Sequence, residues 1–276
     1  MATSKIVLAA TLIILLVLGF SIGIITEPLL IPQNTSSDPI WDNIVASGKI
    51  KIGSDPTWPP YESIDSSGKF VGFEVDLVNA IAERLNLTAE WQNVSFRNIM
   101  PLVEDKSLDM GVSGFSVTPE RLSKVSFTFP HNIARRQILM TPSKQASLGI
   151  TMLDTINELK SLNATAGAQS GTTQIDELTS AGVNYKPFED FASLIQDMMS
   201  ANPSVDAAYV ETPLSPSMTQ YISQEKMVIV YDAPYYPCGF ITNLNAHTFT
   251  AKINGAIADI IESGQIDTLK AKWNLT

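Results

Sequence analysis

The stretch S-G-F-S-V-T-P-E-R, residues 113–121, gathers two serine hydroxyls, a glycine, a capping threonine and an arginine within one short run. Those residue types in that order suit the seating of a small carboxylate. The planar fork of Arg121 matches a carboxylate with two parallel hydrogen bonds. Ser113 and Ser116 add hydroxyls, and Gly114 permits close backbone approach. Thr118 can cap a helix and Pro119 suits its first position. A helix start also offers free N–H groups and the positive end of its dipole. The same residues would equally suit an ordinary capped helix with a solvated arginine, and spacing alone leaves both readings open.

Other chemistry is poorly supplied. Cys238 is the single cysteine, so neither an intramolecular disulfide nor a thiolate metal cage is available, and a buried small hydrophobe is expected there. His131 and His247 lack ligand spacing and are expected as core or surface histidines. No metal site, cofactor motif or catalytic triad is expected. The formal net charge is −10, with no clustered Lys and Arg beyond Arg135-Arg136, which speaks against nucleic acid as a partner.

The elements that must position the 113–121 run alternate along the chain. A strand is expected at 49–54, with Gly53 near its end. A helix over 73–86 places Phe73, Leu77, Ile81 and Leu85 on one apolar stripe. A strand around Trp91, a helix over 96–105 interrupted by Pro101, and a strand at 109–112 follow, the last running straight into the serine-rich turn. A second series is expected: helix 152–160, strand 165–168, helix 172–180, strand 183–188, helix 190–200, strand 205–210, helix 213–223 and strand 226–230. Two helices, 248–263 and 265–273, split by Gly264, close the chain. Such alternation predicts an α/β fold with largely parallel sheets, whose ligands bind at the carboxyl ends of strands.

The N-terminus reads differently. Residues 6–25, IVLAATLIILLVLGFSIGII, carry no charge and are long enough for the hydrocarbon layer, roughly 30 Å thick. Lys5 before the run and Glu27 after it place the remainder outside the cytoplasm. An uncleaved transmembrane anchor is expected over a cleaved signal peptide, because the apolar run is long and 24–28 makes a poor cleavage site. Cleavage would instead leave a secreted or periplasmic protein. The Pro- and Ser-bearing stretch 26–40 reads as a tether, with the folded part beginning near Trp41.

At the motif level the chain resembles the extracytoplasmic amino-acid-binding proteins of ABC importers, of the polar amino-acid type. The resemblance is carried by SVTPERLSKVSFTFPH (116–131), GSDPTWPPYE (53–62), GKFVGFEVDLVNAIA (68–82), AGAQSGTTQ (166–174) and the Lys272-Trp273 tail, and it covers about 41–273. It implies a two-lobed periplasmic-binding-protein-like fold with two crossover segments, near 133–140 and 231–239, preceded by the N-terminal span. Anchor and linker would be 1–40, lobe one 41–136 plus 237–276, and lobe two 137–236.

Site roles follow from the resemblance. Arg121 resembles the arginine that clamps a ligand α-carboxylate, with Ser116 and the backbone near Gly114 in support. Ser113 resembles a partner of the α-amino group. Thr173, beside Thr172, resembles the donor from lobe two. Trp58 and Phe96 resemble aromatic walls around the ligand side chain. Glu211 stands where the family usually has Asp to pair the ammonium. His131 replaces a tyrosine, and 235–245 lacks the family's usual ending. Asp55 resembles the aspartate that reaches the far end of a polar or basic ligand side chain, though it would equally cap the turn before Pro56. The implied function is capture of an amino acid, polar or basic rather than acidic or aliphatic, for delivery to an ABC permease. The alternatives are a ligand-sensing ectodomain for a signalling partner and a cyclohexadienyl dehydratase-like enzyme, the latter disfavoured because one carboxylate opposite an arginine suits ammonium pairing better than catalysis.

Overall fold

A computed structural model describes residues 38–212 and 216–275. The expected anchor at 6–25 and nearly all of the tether lie outside the described residues. Among those described, no helix is long and apolar enough to cross a membrane.

The folded part begins before the expected Trp41. The Asp38 side chain accepts the N–H groups of Ile40 and Trp41 and so caps α1 (Pro39–Ser47). Its second oxygen takes the Thr248 N–H at 2.8 Å, pinning the start of the fold to a helix near the end of the chain. Next come β1 (Lys49–Ser54), β2 (Thr57–Trp58), β3 (Glu62–Ile64), β4 (Phe70–Val71) and α2 (Phe73–Arg84). They are followed by β5 (Thr88–Asn93), α3 (Phe96–Glu104), β6 (Met110–Gly111), α4 (Pro119–Leu122) and β7 (Val125–Phe127). The chain then enters β8 (Asn132–Met140), α5 (Pro142–Leu148), α6 (Asn157–Ser161), β9 (Thr165–Gln169), α7 (Thr173–Ala181) and β10 (Asn184–Phe188). After α8 (Phe191–Met198), β11 (Ala207–Thr212), α9 (Pro216–Ser223) and β12 (Val228–Asp232), it returns through β13 (Tyr236–Cys238) to β14 (Ile241–Asn243), α10 (His247–Glu262) and α11 (Gln265–Lys272).

Two sheets organise these elements into two lobes. The first has order β5-β1-β6-β14-β7, the second β10-β9-β11-β8-β12, and β13 pairs with the start of β8. β2, β3 and β4 form a small third sheet. In the first lobe the α2 stripe of Phe73, Leu77 and Ile81 packs with Phe249, Ile253, Ile257 and Ile260 of α10 beside Ile50 and Ile52 of β1. These side chains are essentially fully buried, and each contributes roughly 1.5–3 kcal/mol of transfer free energy.

The expectation of largely parallel sheets needs correction: both sheets are mixed. β1 runs parallel to β5 and β6, and β9 runs parallel to β10 and β11. By contrast β14 is antiparallel to β6 and β7, and β8 is antiparallel to β11 and β12. The reason is topological. β8 and β14 are entered directly from the other lobe, without the helical crossover that parallel pairing requires. The helix expected at 152–160 also shortens to α6, because the Glu158 carboxylate takes the N–H groups of Asp154 and Thr155 and holds them in a turn.

Candidate functional site

The 113–121 run leaves β6 and is strapped to the returning crossover. Val117 donates its N–H to Pro237 O, Gly239 donates to Phe115 O, and Ser116 bridges to Cys238. Thr118 caps α4 by accepting the Arg121 N–H at 3.2 Å. The Ser113 hydroxyl accepts the Asp55 N–H at 2.9 Å, tying this run to the loop after β1. Gly114 has φ +58, and a Cβ there would fall 2.2 Å from the Trp58 ring, so glycine is what lets Trp58 lie flat against the turn. The Gly114 N–H is given to Glu74 Oε2 at 3.1 Å. Glu74 in turn meets His131 Nε2 at 2.8 Å, with both side chains fully enclosed. His131 is thus a core histidine, stacked on Phe240.

Arg121 is buried, and burial pushes its guanidinium pKa down from an unusually high starting value, so it stays charged. Its Nη1 donates to Ser116 O at 3.2 Å and to Ser116 Oγ at 2.8 Å, and its Nη2 donates to Gly171 O on the second lobe at 3.3 Å. Among the described contacts this leaves the Nε–H and one Nη2–H of the fork without a partner. The guanidinium also lies over Phe96 and Phe115, 5.7 and 5.5 Å from their centroids.

Between the lobes lies a narrow cavity of ≈ 30 Å³. Asp55, Trp58, Phe96, Ser113, Thr172 and Glu211 line it, six of the residues singled out from sequence. Trp58 stacks on Tyr61 and Phe96 on Phe115, which fixes both aromatic walls. Arg121 and Thr173 line the adjoining open groove with Arg136 and Glu177, while Gly114 and Ser116 line neither and act through Trp58 and Arg121. Thr172 spends its hydroxyl on Gln169 O at 2.7 Å. Thr173 donates to Gln174 Oε1 at 3.3 Å and receives Arg136 Nη1, which also pairs with Glu177.

The cavity also holds residues that the sequence reading passed over: Glu62, Gln169, Gln174, Phe191, Tyr209 and Thr57. Glu62 is 1 % exposed and its Oε2 has no hydrogen-bond partner. Burial pushes its carboxyl well above the usual range, and the nearby Glu74, Asp55 and Glu211 push the same way. Burial also raises Glu211, against the pull of Tyr236, Arg121, Arg136 and Gln174. The Tyr236 hydroxyl lies beside that carboxyl, buried and short of a full hydrogen bond, and the Cys238 thiol is 3.8 Å away. Asp55 is raised by burial too, opposed by Thr57 and the Phe96 N–H. Its Oδ2 accepts that N–H at 2.9 Å, capping α3 rather than the turn before Pro56. Among the described residues lining the cavity there is no lysine, arginine or histidine.

A two-lobed α/β molecule with a charged cleft at its strand ends defines a class, that of receptors for small solutes. The chain belongs to the bacterial extracellular solute-binding proteins, family 3, whose model matches residues 50–276. The fold is accordingly the periplasmic-binding-protein-like one, and the family places the folded part outside the cytoplasm. An arginine-binding periplasmic protein of Mannheimia haemolytica is 25 % identical over 238 residues, covering 83 % of this chain and 93 % of that protein. The structure of an ancestral arginine-binding protein bound to glutamine is similar at TM-score 0.71 and 26 % identity, covering 83 % of this chain and 99 % of that one. An ancestral amino acid-binding protein described as a precursor of cyclohexadienyl dehydratase aligns at TM-score 0.69 and 26 % identity, over 84 % of this chain and 98 % of that one.

Proposed function

We propose that this protein captures an amino acid with a cationic side chain between its lobes and delivers it to an ABC importer. One observation carries the ligand class: Asp55, Glu62 and Glu211 line a cavity whose described lining contains no cationic side chain. Glutamate or aspartate would add a further anion to that set. An aliphatic ligand would leave Glu62 Oε2 unpaired in a dry site. In this reading Arg121 takes the α-carboxylate on its free edge, with Thr173 opposite. Glu211 takes the α-ammonium, Glu62 the side-chain cation, and Trp58 and Phe96 flank the stem. The arginine-binding relatives support the same class. Lobe one is taken as 41–136 plus 237–276 and lobe two as 137–236.

A thermal-shift screen of the protein with all twenty amino acids tests this, followed by calorimetry. Arginine, lysine or histidine at about a hundred times its Kd is expected to stabilise by roughly 2.7 kcal/mol. Tight binding of glutamate or leucine with the basic amino acids silent would overturn it. A role as catalyst is set aside because the relatives reported above are binding proteins and Glu211 opposite Arg121 suits ammonium pairing; turnover of prephenate or arogenate would restore it. The apolar run at 6–25 is proposed as an uncleaved anchor. Carbonate-washed membranes are expected to retain the full-length chain, and its release would refute the anchor.

A further inference from the structure

We propose that Gln169 is a positioning residue that ties Asp55 into lobe closure, so that Asp55 holds the closed cleft together while Glu62 reads the charge of the ligand side chain. The proposal rests on the reading of the cleft as an amino-acid seat and assigns a division of labour within it. Gln169 ends β9 on the second lobe and is 8 % exposed. Its Nε2 donates to Asp55 Oδ2 at 3.0 Å and to Glu189 O at 3.1 Å, which commits both amide hydrogens. Asp55 Oδ2 already accepts the Phe96 N–H at the start of α3. One carboxylate oxygen therefore joins the first turn of α3 on one lobe to the end of β9 on the other.

The seam around this bond is close-packed. Arg97 pairs with Glu189 at 3.3 Å, one residue from Phe96 and on the residue whose carbonyl Gln169 engages. Gly171 sits so near that a Cβ there would meet the Arg97 Cα at 2.7 Å. A ligand cation approaching Asp55 Oδ2 would have to compete with two donors in place, whereas Glu62 Oε2 has none. The polarity of the latch is also specific. The charged groups that bear on Asp55 are the Glu62 carboxyl from β3 and Glu189 and Asp190 from the β10–α8 connection, so a neutral donor suits position 169 and an acid does not.

The test uses Gln169→Glu and Gln169→Met in the full chain, each against wild type at pH 7.5 and pH 5. Small-angle scattering without ligand and calorimetry with the amino acid that wild type binds are the readouts. Gln169→Glu sets two carboxylates face to face. At pH 7.5 it is expected to enlarge the radius of gyration and to weaken binding at least tenfold. At pH 5 both defects, taken relative to wild type at the same pH, are expected to shrink as the pair shares a proton. Gln169→Met removes the donor without adding a charge, so its weaker binding relative to wild type is expected to be the same at both pH values. Unchanged scattering in Gln169→Glu, or a pH response in Gln169→Met equal to that of Gln169→Glu, overturns the proposal. A wild type that binds no amino acid overturns the functional reading alone, and the scattering series then decides the latch.

Discussion

Glu62 is the residue at which stability and capture pull apart. Its carboxyl is buried, one oxygen has no partner, and the folded protein holds its proton to a higher pH than the unfolded chain does. Between those two values the native state binds more protons, so stability falls as pH rises. Glu62→Gln removes that titration. The ligand-free variant is expected to melt above wild type at pH 8, with the gap closing toward pH 4. A gain of about 1–3 kcal/mol from relieving the buried group corresponds to several degrees, at roughly 2–4 °C per kcal/mol for a chain of this size. The same variant is expected to lose most of its affinity for basic amino acids. Equal melting temperatures at pH 4 and pH 8 relative to wild type would refute the account. In the sequence Glu62 was visible as the last letter of GSDPTWPPYE but carried no sign of facing the cleft, because that depends on how the β2–β3 turn folds under Trp58. Asp55, Trp58, Phe96 and Glu211 were legible through motif context. The Asp55–Gln169 bond was not, since the two partners stand 114 positions apart and meet only when the lobes approach.

At the scale of elements, local chemistry predicted what local chemistry controls. The Thr118-Pro119 start of α4 and the Gly264 break between α10 and α11 were written in capping residues. β2, β3 and β4 were not, being too short for a period of two to register. β8 was read as a crossing and not as a strand, because its burial does not alternate: its later residues are enclosed on both faces. The Asp38 cap was missed because half of its function lies at Thr248. Burial raises the Asp38 carboxyl, but the N–H groups of Thr248, Trp41 and Ile40 outweigh that and hold it below the usual range. Its contribution is therefore present above about pH 4 and fades as pH falls through the lower, folded value. Asp38→Ala is expected to cost about 1 kcal/mol and lower the melting temperature by roughly 2–4 °C at pH 7. The difference from wild type should shrink as the pH falls below about 4, and a gap that stays constant with pH would count against the cap.

At the scale of the whole molecule, the placing of β14 sets an order in time. The second sheet draws its strands from one unbroken stretch, 132–238, but the first needs Ile241–Asn243 at its interior, between β6 and β7. Until Ile241–Asn243 arrives near the end of the chain, Met110–Gly111 and Val125–Phe127 lack the strand that joins them. Contacts between distant segments are slow to form because loop closure must come first. In pulsed hydrogen exchange during refolding, the amides of β9 and β11 are expected to gain protection before those of β6 and β7; simultaneous protection would contradict this. A chain threaded out of the cell from its N-terminus would thus carry Arg121 and its serines across early, yet give them their shape late, once the returning segment has docked behind them.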